Sequence, residues 1–187
     1  MPLVTRPDLL ASLPDPLFQS RLNLYGAEPE KAESGLQLVL ASLRALRWSY
    51  HTKHWMVSGG HFYGDHLLFE RLYDGKPDLD DQADALAEKM VALLGPASVS
   101  TRQIWPLAGL ALEYGAAAGD CPYRQSLAME EQIQKHLSEA YGTLKSQGRL
   151  SLGMDDLLMS IANEREQAIY LIKQRLAPPP VFIQQQS

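Results

Sequence analysis

Four of the chain's five histidines lie between positions 51 and 66, in the stretch that runs His51-Thr-Lys-His54-Trp55 and on to His61 and His66. Glu70 follows His66 by four residues, and Glu88 follows Asp84 by the same interval. On a helix, residues four apart share a face, one turn above the other, so each pair can grip a single ion. Imidazole mixed with carboxylate suits iron, zinc or manganese. Metal chemistry is the chemistry this spacing offers. The sequence has no glycine-rich phosphate loop and no cysteine pair to compete with it.

Eighteen residues separate His66 from Asp84. On one continuous helix that is five turns, which leaves the pairs on a shared face but roughly 27 Å apart. Metal bonds are only about 2 Å long. Two arrangements bring the pairs together. In one, a second copy of the helix lies antiparallel across a two-fold axis. In the other, Asp74-Gly75-Lys76-Pro77-Asp78 is a tight connector that folds the halves into a hairpin and makes a zinc site within a lone four-helix chain. Spacing alone leaves both open.

The elements that carry these residues read as helices. From Pro29 to Gly59-Gly60, Leu36, Val39, Leu43, Leu46, Tyr50, His54 and Val57 keep helical spacing. His54 falls on this apolar stripe, where a histidine taken alone reads as a core residue bonded to a neighbour; His51 reads as ligand, supporting group or solvent-facing. A second helix covers His61 to Tyr73, and Asp78 suits the cap of a resumed helix over 79–94 with Ala83, Leu86, Ala87, Met90, Val91 and Leu94 inward. Residues 96–125 form a long connection with a short helix near Trp105–Tyr114 and a flexible stretch at Gly115–Gly119. Third and fourth helices follow over Pro122–Gln147 and from near Asp155-Asp156 to Leu176. The expected fold is all-α: a ferritin-like four-helix bundle over 29–177, whose long crossover carries a short helix between helices 2 and 3. An apolar N-terminal arm at 1–28 precedes it, and an uncharged tail at 178–187 follows.

Bulk properties agree with a globular domain. The chain has 187 residues and 45% hydrophobic content, enough for a substantial core. A net charge of −5 leaves little field for nucleic acid or an anionic membrane. A single cysteine, Cys121, excludes an internal disulfide and fits a reducing compartment. With no apolar run of spanning length and no signal-peptide pattern, the expected location is cytoplasmic.

The run His54-Trp55, twelve residues to His66, Glu70 one turn on, then Asp84-x-x-x-Glu88 and a closing glycine resembles the Dps-type miniferritins. The resemblance covers about residues 30–176 and is dense over 50–95. It implies a hollow shell of twelve four-helix subunits, with di-iron or mono-iron ferroxidase centres at two-fold interfaces. Position by position, His54, His66 and Glu70 of one chain would face Asp84 and Glu88 of its neighbour. Asp155 and Asp156 resemble an ion pore at a three-fold axis; acids at a helix start are also common for electrostatic reasons alone. The implied substrates are Fe(II) and hydrogen peroxide, or oxygen more slowly, with zinc or manganese as substitutes. His51 would support the site, and Trp55, with Trp48 near it, would quench stray oxidants; packing is the plainer reading for Trp48. A related intrachain di-iron centre needs Glu-x-x-His on two helices, and the sequence has none.

Three features depart from the family pattern. Glu70 stands where the family has Asp. The segment from His66 to Asp84 is longer by about three residues, close to one turn. The lysine-rich tail with which some members bind DNA is missing, so DNA binding is not expected. An alternative of another class is a cage or docking module that binds metal without turnover.

Overall fold

The computed structural model describes residues 32–178. The expected arm and nearly all of the expected tail therefore lie outside the described residues. Six α-helices follow in order: α1 (Ala32–Met56), α2 (Phe62–Asp74), α3 (Leu79–Leu94), α4 (Thr101–Ala116), α5 (Pro122–Ser146) and α6 (Leu152–Leu176). A 3-10 turn, Pro96–Val99, joins α3 to α4. No strand occurs among the described residues.

Helix ends follow local chemistry. Gly95 closes α3 at φ 89°, a left-handed conformation that a side chain would strain, and Pro96 follows it. Asp78 caps α3: its carboxylate accepts from the Asp81 N–H at 2.7 Å, and the Asp81 carboxylate accepts from the Asp78 N–H in return. The last helix begins three residues before Asp155, where the Ser151 hydroxyl accepts from the Met154 N–H at 3.2 Å. A serine is a good N-cap in its own right, so the acidic pair marks the first turn rather than the start.

Helix α1 is the spine, packed against α2, α3, α4 and α5, while α6 packs on α5 and touches α3. Its pairings along the chain give the directions. His54 meets His66, His51 meets Tyr73, Arg47 meets Asp80 and Arg44 meets Asp84. Partner numbers rise as α1 numbers fall, from α2 straight on into α3. The two helices are therefore one antiparallel rod broken at 75–78, not a hairpin. This overturns the intrachain arrangement in which Asp74–Asp78 folds the halves together. Against α5, Lys53 meets Ser126, Tyr50 meets Glu130 and Ser42 meets His136, so α5 is also antiparallel to α1. The Arg165–Glu130 and Lys173–Glu131 pairs set α6 antiparallel to α5. The long crossover is what lets the second rod and α5 run parallel.

The crossover helix is longer than the short element expected, running from Thr101 to Ala116, with Ile104, Leu107, Leu110 and Ala111 buried. Gly115 belongs to it rather than to a flexible stretch. A Cβ there would stand 2.6 Å from Met129 Cγ, so glycine leaves room for the Met129 side chain where α4 meets α5.

The core is built from the expected stripes, including Leu36, Val39, Leu43, Leu46, Leu86, Met90, Ile133, Leu144, Ile161 and Ile172. Val91, expected inward, is exposed, because α3 turns only a narrow face to α1. Among the described residues no helix is long and apolar enough to cross a membrane.

At the centre of the bundle lies a buried polar group. Glu130 is fully buried, accepts from the Tyr50 hydroxyl at 2.5 Å and pairs with Arg165 at 3.0 Å. Burial pushes the Glu130 carboxyl up, against the opposing pull of Arg165. Burial, then the neighbouring Glu130 charge, raises the Tyr50 hydroxyl well above its ordinary value. An intrachain di-iron site would occupy this region of a bundle, and here an arginine stands in it.

Candidate metal centre

Where α1 ends and α2 begins, His54 and His66 stack face to face with ring centroids 3.6 Å apart. Each ring is tied to the backbone of the other residue. His54 Nδ1 lies 3.1 Å from the His66 carbonyl oxygen, and His66 Nδ1 lies 2.9 Å from the His54 carbonyl oxygen. A carbonyl only accepts, so both Nδ1 atoms carry the proton. In the neutral rings both Nε2 atoms then present lone pairs, the form a metal ligand requires. The Gly59-Gly60 turn makes this possible, since Gly59 at φ 87° lets α2 fold straight back on α1.

Glu70 stands one turn beyond His66 and is exposed. His51 lies one turn before His54, its ring 4.1 Å from Trp55 and 4.6 Å from Tyr73. Slight burial and the Arg47 charge lower the His51 pKa. Trp55 is exposed apart from its contact with His51, and Trp48 is exposed as well, so neither is a core aromatic. Spacing gave no sign of Tyr73, whose ring edge meets His54 at 5.4 Å while the Arg47 guanidinium covers its face at 4.5 Å. The paired aromatic and basic positions in sequence were the available signal, but their meeting depends on the register of two helices.

Asp84 and Glu88 do not join this cluster within the chain. Asp84 pairs with Arg44 at 2.6 Å, ten residues up α1 from His54, or about 15 Å of helix axis. Arg44 also holds Asp80 at 2.7 Å, and Arg47 holds Asp80 at 3.0 Å. Glu88 lies a further turn along α3 and is exposed. Among the described residues, no three His, Cys, Asp or Glu side chains converge on one ion position. Asp155 lies half-buried beside the Tyr141 hydroxyl, whose pKa is raised first by its hydrogen bond to Asp155 and then by that residue's charge, and Asp156 is exposed.

Asp65, on the adjoining face of α2, is a structural carboxylate. Arg175 of α6 grips both its oxygens, at 2.7 and 3.1 Å, and holds its pKa below the usual range.

No protein-family model matches the sequence, and no curated protein matches it. Solved structures do match in shape. Dps from Thermosynechococcus elongatus superposes with a TM-score of 0.67 at 20% identity, over 88% of this chain and 99% of that one. DpsC from Streptomyces coelicolor gives 0.64 at 21%, over 97% and 92% of the two chains. An archaeal Dps homologue from Halobacterium salinarum gives 0.65 at 20%, over 83% and 84%. The chain has the Dps fold. These likenesses extend over nearly the whole length of the first two relatives, so the crossover helix is part of what is shared. Architecture is what they establish; the chemistry of this Dps-like chain rests on its own side chains.

Proposed function

We propose that this Dps-like protein is an iron-storing ferroxidase, a dodecameric shell that oxidises Fe(II) at sites shared between two copies. His54, His66 and Glu70 of one chain would bind the metal substrate together with Asp84 and Glu88 of another. The observation that carries this reading is the reciprocal histidine pair. Two imidazoles held in one tautomer, with Nε2 outside the mutual tie and a carboxylate one turn on, form half a ligand set. The other half, Asp84 and Glu88, is carried on the same rod but too far away to complete the set in one chain, which favours a two-fold partner.

Neutral imidazole holds Fe(II), and carboxylates favour the harder Fe(III). Two Fe(II) ions supply the two electrons that take one hydrogen peroxide, with two protons, to two waters. No hydroxyl radical is released on that route, which would make the activity protective. Oxygen would serve as a slower oxidant, and zinc or manganese would fill the same ligands without turnover. Asp155 and Asp156, at the start of α6, are proposed to line an ion pore at a three-fold axis. A soluble, cytoplasmic setting fits this reading, and nucleic acid is not proposed as a partner.

Anaerobic Fe(II) titration followed by peroxide tests it. Saturable, stoichiometric oxidation is expected, reduced at least tenfold in His54→Ala and in Glu88→Ala. Unchanged kinetics in both variants would overturn the assignment. A second reading, a metal-binding cage without turnover, draws on the Arg44–Asp84 ion pair, which already occupies one of the carboxylates. Tight zinc or manganese binding with no Fe(II) oxidation would select it.

A further inference from the structure

A second face of α1 encloses an open cleft of about 430 Å³, bounded by the C-terminal end of α4 and the first turns of α5. That is within the roughly 300–1,000 Å³ of small-ligand sites. Trp48, Met56, Val57, Leu112 and Met129 supply apolar walls. Lys53 also contributes to the lining, although its side chain is buried, with 9% relative exposure. Its Nζ donates to Ser126 Oγ at 2.9 Å, and that hydroxyl in turn donates to the Pro122 carbonyl at 2.8 Å. An ammonium has three N–H donors. Among the described residues Lys53 has one hydrogen-bond acceptor, no carboxylate partner, and only the Cys121 thiol as an ionisable group acting on it.

A cation drawn out of water without a counter-charge is costly, and buried charges are normally paired. Every other buried cation and anion among the described residues obeys that rule: Arg165 has Glu130, and Asp65 has Arg175. Lys53 is the exception among the described residues, and it lines a cleft whose walls are mainly apolar, with Ser49, Thr52 and Gln125 between. Asp120, also on the lining, is exposed, where water and salt screen its charge.

We propose that the cleft between α1, α4 and α5 binds a small amphipathic carboxylate, an aliphatic or aromatic acid. Its head would pair with Lys53 Nζ, and its tail would lie against Trp48, Met56 and Met129. The carboxylate supplies the missing counter-ion, and the apolar tail fills the walls. This site is separate from the histidine pair and stands whether or not iron is oxidised there.

Decanoate is a suitable probe, titrated into the full chain in its native assembly by calorimetry and by tryptophan fluorescence. One saturable site per chain is expected, with a fluorescence change that disappears in Trp48→Phe. Decan-1-ol, with the same chain and no charge, should bind at least tenfold more weakly. Lys53→Met should weaken decanoate at least tenfold while keeping the fold, since a buried cation is replaced by an apolar chain of similar length. Ala116→Trp, at the exposed mouth, should block the cleft with Lys53 intact. Equal affinity for the acid and the alcohol, undiminished binding in Lys53→Met, or no saturable binding in the native assembly would each overturn the proposal.

Discussion

Two kinds of histidine occur here, and their surroundings divide them. His54 and His66 are half-buried, each with Nδ1 tied to the other's carbonyl oxygen. His136 is buried on α5, its Nε2 accepting from Gln132 at 2.9 Å and its Nδ1 facing Ser42 at 3.3 Å. Burial, then Lys135, lowers the His136 pKa to about 4. An unfolded histidine titrates near 6.5, so between those values the unfolded chain binds the extra proton and the folded one does not. Stability from this group is complete above pH 6.5 and is lost as pH falls toward 4, by about 2 to 3 kcal/mol at pH 4.5. Glu130, raised by burial, acts in the opposite sense but is common to wild type and variant. Urea unfolding at pH 7 and at pH 4.5 should therefore show wild type losing that much relative to His136→Gln. Parallel losses would contradict the assignment. The histidine and carboxylate spacings were legible because they are local. The Tyr50–Glu130–Arg165 group was not, yet a sign of it exists: Leu158, Ile161, Ala168 and Ile172 leave one core step for Arg165.

At the scale of the element, caps and breakers were the most readable part of the sequence. Gly95, Gly148 and Asp78 each fix a boundary through their own backbone or side-chain chemistry. The Asp78 carboxylate also takes the Lys76 ammonium at 2.6 Å, and its pKa is held low first by that lysine and then by the Asp81 N–H. Asp78→Ala should cost about 1 kcal/mol of stability, read by denaturant unfolding at pH 7. A loss below the error of that measurement would mean that Asp81 and Lys76 carry the break without it. The sequence left the second rod undecided between a continuous helix and a hairpin at Asp74–Asp78, because Gly75 and Pro77 fit a bend of any angle. Register against α1 decides the question, through the Arg44 and Arg47 contacts with Asp80 and Asp84. Those contacts join residues 33 to 40 positions apart, where no local pattern operates.

At the scale of the molecule, the surface carries more apolar side chains than one chain needs to expose. Trp55, Phe62, Tyr63 and Leu67 cluster in sequence around the histidine pair, and Leu152 and Met159 are open on α6. Twelve copies of a 20.8 kDa chain would have a mass of about 250 kDa. Native mass spectrometry or sedimentation should find that species, and a stable 20.8 kDa monomer at micromolar concentration would contradict the shared-site reading. The fold was legible because periodicity and crossover length specify a bundle. Subunit number came only through the family resemblance, because it depends on surfaces whose complement is another molecule.

The interruption at 75–78 separates what an unbroken rod would lock together. Any twist or slide of a continuous helix would carry His66, Glu70, Asp84 and Glu88 as one rigid comb. With two shorter pieces, each clamped to its own stretch of α1, the imidazole half and the carboxylate half can be retuned one at a time. On the proposed shared-site reading, substitutions in α3 would alter which ion is preferred, or how firmly, while the histidine clasp keeps its geometry.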